Sequence, residues 1–458
     1  MMDTATAARA VGGRLVGDSV RFVRVTTDSR AVEPGDLFVA LAGERFDGHD
    51  FVAPAFARGA VAAFVAADRA HGLTGNLVVV DDTLAGLGTL AGHWRDRFSL
   101  PLIVIVGSNG KTTVKEMLAT ILRAHFGDAR VLATRGNLNH AIGLPLTLLR
   151  LSDAHCAAVV ELGMNHRGET AELAAIARPT VAVVNNAQRE HQEFMNSIAE
   201  VAAEHADLIG TLPAAGIAVL NADDAFVDVW RDAAHRKGVV IVEFALDHPA
   251  AVRGRYAPMP AGGALDLATP AGDATVRLAT FGRHNAANAL AAATAALAVG
   301  VPLAAVLRGL EAFRPVPGRL VRGTTPGGAT VIDDTYNANP DSVRAAIEVL
   351  AAAPTPRWLV LGDMGEVGAQ GPAWHHEVGN YARASGIDRL LTAGTQAAEA
   401  AAAFGPGAEH FASVAELAAR VATEAVPGVT VLVKGSRFMR MERVVAALAG
   451  QAVAEGAH

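Results

Sequence analysis

Residues Gly107-Ser108-Asn109-Gly110-Lys111-Thr112-Thr113 place two glycines, a lysine and three hydroxyls in seven consecutive positions. That set suits a polyphosphate. Glycines let backbone N–H groups turn onto an anion, a lysine reaches the terminal phosphates, and the Thr112 hydroxyl can hold Mg2+. The long form of such a loop has a further glycine five residues before Gly110. Ile105 stands there, so this is a shortened loop with Gly107 three residues ahead. A glycine turn beside a solvated lysine is the bland alternative, and the flanks argue against it. The apolar run Leu102-Ile103-Val104-Ile105-Val106 precedes the loop. Val114, Met117, Leu118, Ile121 and Leu122 follow it on one helical face. ATP and Mg2+ are therefore the expected ligands.

Magnesium takes oxygen donors. Glu161 ends the apolar run 157–160, and His191 follows the run 180–184. Both stand where α/β sheets place ligand groups, at the carboxyl ends of strands. By spacing alone each is also readable as a solvated surface group. Thr112, Glu161 and His191 form the candidate metal set, with Lys111 beside them.

Elements that position these groups fall into three blocks. Residues 1–82 hold short strands (36–41, 60–65, 77–80) separated by polar turns, and residues 83–98 read as a helix leading onward. Residues 83–314 alternate strands and helices, which indicates a parallel sheet. The run Ala312-Phe313-Arg314-Pro315-Val316-Pro317-Gly318 breaks both periodicities and reads as a linker. Residues 315–458 alternate again, with strands at 329–332, 358–361 and 429–433 and a helix at 341–352. The Ala-rich stretches 286–299 and 397–403 read as helices. The expected class is α/β: three domains, a central P-loop ATPase-like parallel sheet, a small N-terminal α/β domain, and a C-terminal Rossmann-like domain.

Hydrophobic residues make up 51% of the 458 positions and aromatics only 5%, so several cores of small aliphatic side chains are expected. A net charge of -7 argues against a nucleic-acid binder. One cysteine, Cys156, cannot form an internal disulfide, which points to a reducing compartment; its apolar surroundings predict a buried thiol. No leader-like start and no run long enough to span a bilayer is seen, so a cytoplasmic protein without membrane insertion is expected.

Several longer runs resemble the Mur ligases, ATP-dependent amide-forming enzymes of peptidoglycan assembly, over nearly the whole chain. Residues 107–113 match the family's loop. Thr27-Asp28-Ser29-Arg30 and residues 40–51, including Arg45 and Phe46, resemble the part that holds the uridine nucleotide. Thr134-Arg135-Gly136-Asn137-Leu138-Asn139 and residues 142–146 resemble the muramyl-binding segment, and residues 161–169, with His166, the segment carrying a metal-binding glutamate. Gly282-Arg283-His284-Asn285 with Asn288 resembles the adenine-side signature. In the third block, Pro317-Gly318-Arg319, residues 333–340 with Asp334 and Tyr336, residues 361–366, and Lys434-Gly435-Ser436-Arg437 resemble the type that joins D-alanyl-D-alanine to UDP-N-acetylmuramoyl-tripeptide.

The resemblance implies ATP contacts at Asn285, Asn288, Arg319, Asp334 and Tyr336, and substrate contacts at Ser29, Arg45, Phe46, Asn137, Asn139, His166, Lys434 and Arg437. Asp334, Arg319 and Tyr336 also have plain readings as a turn cap, a linker residue and packing. It further implies an acyl phosphate, closure about the linker at 314–318, a monomer, and a base for the incoming amine, for which His166 and His376 are candidates. One departure stands out. The family commonly carries a side-chain-carbamylated lysine about a dozen residues after the metal-binding histidine. Here His205 falls at that place, and residues 187–216 contain no lysine. Glu204 or His205 is a candidate replacement. Gln188-Arg189-Glu190 also departs from the usual small-residue loop.

Overall fold

The structure is a computed structural model that describes residues 1–44 and 46–451. It contains three sheets, each with helices against it. In the first, the strands run in the order Arg14–Val16, Leu77–Val80, Ala62–Ala66, Asp36–Val39, Arg24–Thr26. All neighbours are parallel except the first pair.

The central sheet has nine strands. Seven are parallel, in the order Val131–Ala133, Ala157–Glu161, Leu102–Val106, Val181–Val184, Ile217–Asn221, Val240–Ala245, Val252–Met259. Leu102–Val106 is apolar at every position because both faces are covered. Ile103 and Ile105 pack with Val114, Met117 and Leu118 of the helix Lys111–Phe126. Leu102, Val104 and Val106 face the opposite core with Leu173 and Ala174. The sheet departs from the all-parallel expectation at one edge, where Gly262–Thr269 and Gly272–Leu278 add antiparallel. There Leu265, Leu267, Val276 and Leu278 are buried while Asp266 and Thr275 are not, the alternation of a sheet covered on one side.

The third sheet runs Val321–Thr324, Thr330–Asp334, Thr430–Lys434, Arg357–Gly362, Arg389–Ala393, Ala408–Phe411, parallel except for its first strand. Cys156, expected to be buried, is only half-buried, because it precedes the strand Ala157–Glu161 rather than lying within it. No helix among the described residues is long and apolar enough to cross a membrane.

The helix Thr83–Arg95, capped by Asp82, lies between the first two sheets. Its glycines make room: a Cβ on Gly86 would lie 2.7 Å from the Phe64 ring, and one on Gly88 2.8 Å from Ile176. One continuous core therefore runs from Phe22 and Phe64 through Leu87 and Leu90 to Trp230.

The third domain is docked on the second by polar contacts. Arg189 makes paired hydrogen bonds to Asp341, the shortest 2.6 Å, and a 2.8 Å bond to Glu377, while its guanidinium lies over Trp374. Asn109 and Asn339 exchange side-chain amide bonds, and His191 Nδ1 lies 2.6 Å from Glu366. Side-chain exposure of only 12% for Arg189, against 22% and 32% for its partners, makes this a shielded latch.

Arg189→Ala should leave each domain folded and loosen the third, removing about 2–5 kcal/mol, the usual cost of stripping one partner from a buried hydrogen-bonded charge pair. Small-angle scattering of the nucleotide-free variant should show a larger radius of gyration; an unchanged radius would make the latch redundant. Acid should act likewise. The Arg189 hydrogen bond, aided by Arg344, holds the Glu377 carboxyl below its usual range against the effect of burial. A depressed carboxylate stabilises the docked state above the ordinary glutamate value of about 4.3 and loses that effect as pH falls through the lowered one. The wild type should open on such acidification, and Glu377→Gln should respond less steeply; identical pH profiles would assign the transition to other groups.

Candidate active site

The phosphate loop leaves the strand Leu102–Val106 and ends on the first turn of Lys111–Phe126, whose leading N–H groups have no partners within the helix. Gly107 and Gly110 adopt φ of 145° and 85°. Gly110 is also crowded: a Cβ there would collide with Asn288 and Asn185. Asn185 follows the strand Val181–Val184 and donates to Asn109 O and Asn288 Oδ1, and Asn288 donates to Asn285 Oδ1. Asn285 and Asn288, expected to contact ATP, thus brace the loop through Asn185.

A buried charge cluster lies beneath it. Lys111 Nζ donates to Gly107 O at 2.5 Å and lies 3.3 Å from Glu190 Oε2. Glu190 is 6% exposed, and its Oε1 stands 3.4 Å from His205 Nε2. His191 Nε2 is 3.8 Å from Glu190 Oε2. Burial pushes the Glu190 carboxyl up, but Lys111, His205 and His191 outweigh it and hold the group at about 2, so it is ionised. His191 and Glu366, which meet across the domain junction, both have left-handed backbones, with φ of 50° and 56°. Such strain in non-glycine residues persists where the surroundings fix it, commonly at functional sites.

Glu161 ends its strand 1% exposed. Asn139 Nδ2 donates to its Oε1 at 3.0 Å, while Oε2 is buried and has no hydrogen-bond partner among the described residues. The Thr112 hydroxyl accepts from Arg319 at 3.1 Å. No group of three or more His, Cys, Asp or Glu among the described residues stands close enough to hold a metal ion unaided. That donor set fits Mg2+, which typically takes one or two carboxylates and completes its shell with phosphate oxygens and water. The unpartnered Glu161 oxygen and the Thr112 hydroxyl are hard oxygen donors of that kind. Glu204 is committed elsewhere: its two oxygens accept from Gly168 N and Thr170 N at the start of the helix Glu169–Ala177.

One cavity of about 990 Å³ receives residues 108–113, Asn139, Glu161, His191, Asn285 and Asn288 of the central domain, and Arg319, Asp334, Tyr336 and Lys434 of the third. Lys434, 3% exposed, donates to Asp334 at 2.6 Å and to Asn337 O at 2.9 Å. Burial raises the Asp334 carboxyl while Lys434 and Arg319 pull it down. Arg319 lies over the Tyr336 ring, 4.1 Å from its centroid. Burial and nearby Lys434 lower His284 to about 4, leaving it neutral.

Other expected residues lie outside that lining. Gly107 is not among the lining residues; its carbonyl accepts from Lys111 Nζ. Ser29 is half-buried near the edge of the first sheet, Phe46 is 66% exposed, and Arg45 lies outside the described residues. Asn137 is exposed on the turn before Asn139. His166 stacks edge-on against Phe194, His376 is exposed on the helix Gly371–Ala384, and Arg437 is exposed and 3.3 Å from Glu442. Neither candidate base lines the cavity. Arg189, Glu190, Asn185 and Glu366 were not singled out as site residues. The only sequence signal was the unusual charge of residues 188–190 beside His191.

Three family models match the chain: "Mur ligase family, catalytic domain" at residues 21–93, "Mur ligase middle domain" at 105–296 and "Mur ligase, glutamate ligase domain" at 318–437. The UDP-N-acetylmuramoyl-tripeptide–D-alanyl-D-alanine ligase of Escherichia coli is 42% identical over 96% of both chains. A crystal structure of MurF from Acinetobacter baumannii superposes with a TM-score of 0.91 at 34% identity, covering 98% of this chain and 99% of the other. The MurF ligase of Thermotoga maritima in complex with ADP gives 0.83 at 27% identity, covering 93% and 97%. With loop, central sheet and third domain all matched, the chain belongs to the Mur ligase family.

Proposed function

We propose that this chain is an ATP-dependent ligase that joins D-alanyl-D-alanine to UDP-N-acetylmuramoyl-tripeptide, forming the UDP-muramyl-pentapeptide precursor of peptidoglycan and releasing ADP and phosphate. The carrying observation is the single cavity in which the phosphate loop and Glu161 face Arg319, Asp334, Tyr336 and Lys434 of the third domain. The near-full-length resemblance to ligases of that name supports the substrate pair. Folylpolyglutamate synthase shares the fold at 19% identity, which speaks for architecture alone.

Carboxylate and ammonium do not condense in water, because both charges must be lost. Transfer of the γ-phosphoryl of ATP to the terminal carboxylate of the tripeptide makes an acyl phosphate. The dipeptide amine attacks its carbonyl carbon, the tetrahedral adduct expels phosphate, and the amide remains. Loop N–H groups and Lys111 hold the phosphoryl oxygens as charge moves among them. Asn185, Asn285 and Asn288 keep the loop in shape. Arg319 and Tyr336 offer a stacked cation and ring to the nucleotide, and Lys434, fixed by Asp334, presents a positive charge on the third-domain wall. Mg2+, when bound with the nucleotide, would be held by Thr112 and Glu161 with His191 nearby, and would supply charge neutralisation at the phosphates. Docking of the third domain excludes water, which would otherwise hydrolyse the acyl phosphate. A UDP-linked precursor and a free dipeptide as substrates support a cytoplasmic location.

Purified protein should release phosphate at the full rate only when the UDP-muramyl-tripeptide, D-alanyl-D-alanine and Mg-ATP are all present. Equal release without the dipeptide would sink the reading. Lys111→Ala should lower kcat by about a thousandfold or more with the fold retained by circular dichroism; near-normal turnover would remove the loop from the chemistry.

A further inference from the structure

The cluster under the loop contains more buried charge than holding Lys111 requires. We propose that Glu190 is a further cation-facing carboxylate of the ATP site, oriented by His205, and that the pair lets this chain work without a covalently modified lysine. The inference rests on the reading of the cavity as a Mg-ATP site.

Four observations carry it. Glu190 is among the residues lining the cavity that Thr112, Glu161 and His191 also line. Its Oε2 is shared by Lys111 and His191, but its buried Oε1 has no hydrogen-bond partner among the described residues. His205, 1% exposed on the helix Ile198–Gly210, meets that oxygen at 3.4 Å, and neither of its ring nitrogens makes a hydrogen bond among the described residues. A buried carboxylate left short of partners is costly unless something arrives to use it.

The fourth observation concerns lysines. A carbamate forms when a neutral amine adds CO2 and loses a proton, which turns a cationic side chain into a carboxylate-like one. The chain has only Lys111, Lys115, Lys237 and Lys434 to offer. Lys111 belongs to the phosphate loop. Lys115 is fully buried and bonded to Glu116 and Thr134 O. Lys434 is tied to Asp334, and Lys237 lies in the last turn of the helix Val227–Lys237, outside the cavity lining. No lysine is placed to present a carbamate beside His191. Glu190 brings one negative charge to that spot from the same loop after the strand Val181–Val184, with no CO2 needed. His205 is the positioning residue: it stands where a lysine arm would start and fixes the carboxylate from behind. Glu204 does not compete, since both its oxygens cap the helix Glu169–Ala177.

The test titrates the full-length protein with Mn2+ in the presence of ADP and counts free Mn2+ by electron paramagnetic resonance. Glu190→Gln should weaken Mn2+ binding roughly tenfold or more, and Glu190→Asp by less. ADP binding without metal should stay unchanged or tighten, because a negative charge beside the phosphates is gone. His205→Gln should weaken Mn2+ binding less than Glu190→Gln and add little to it in the double variant, since residues acting through one another are non-additive. In the wild type, Mn2+ affinity should be the same in CO2-purged and bicarbonate-supplemented buffer. This last measurement needs no variant to fold. Wild-type Mn2+ affinity in Glu190→Gln, or tightening with bicarbonate in the unaltered protein, overturns the proposal. A wild type that binds neither ADP nor Mn2+ with ADP overturns the ligase reading itself, and this inference with it.

Discussion

A lysine that must meet triphosphate has to be held and aimed before the ligand comes. Lys111 is held in that condition by Gly107 O and the ionised Glu190. An unpaired cation in such a pocket would cost more than the fold could easily spare. Much else follows from this one pairing. Glu190 has to be held, and His205 and His191 stand 3.4 Å and 3.8 Å from its two oxygens. The strand Val181–Val184 has to end where it does, so that the residues after it can reach back under the loop. The asparagines at 185, 285 and 288 then prevent the loop from relaxing onto the empty space that phosphate needs.

The chemistry-bearing half of the site was legible because its residues lie in short runs with strong local meaning. The strand, the loop and the helix after it identify a phosphate cradle by period and glycine placement alone. Glu161 was legible as a strand-end group, and Arg319, Asp334, Tyr336 and Lys434 by their resemblance to known ligases. The cavity brings all of them together. The illegible half consists of partners far apart in sequence. Nothing near Arg189 announces Asp341 or Glu377, and nothing near His191 announces Glu366. Such pairs depend on how two domains meet, a property that no local window contains. The antiparallel edge of the central sheet was missed for another reason: its strands begin on glycines and alternate apolar with polar residues, a weak signal beside the long apolar runs of the parallel core.

The same distinction separates binding from commitment. The phosphate loop and the asparagines bracing it belong to the central domain, while Arg319, Tyr336 and Lys434 reach the cavity from the third. Arg319 already reaches the Thr112 hydroxyl in this arrangement. A nucleotide therefore has to displace or join an existing interdomain contact, which links the filling of the loop to the placement of the far wall.

The helix Thr83–Arg95 has a consequence for how many moving parts the molecule has. Because its glycine face is sunk between two sheets and its apolar residues join one uninterrupted core, the first and second domains share their interior. They are expected to travel together as one block. Three domains then amount to two mechanical bodies, with the proline-bearing segment at residues 314–318 as the joint. The first sheet is carried by the larger block, so anything held there keeps a constant distance from the phosphate loop while the smaller block swings.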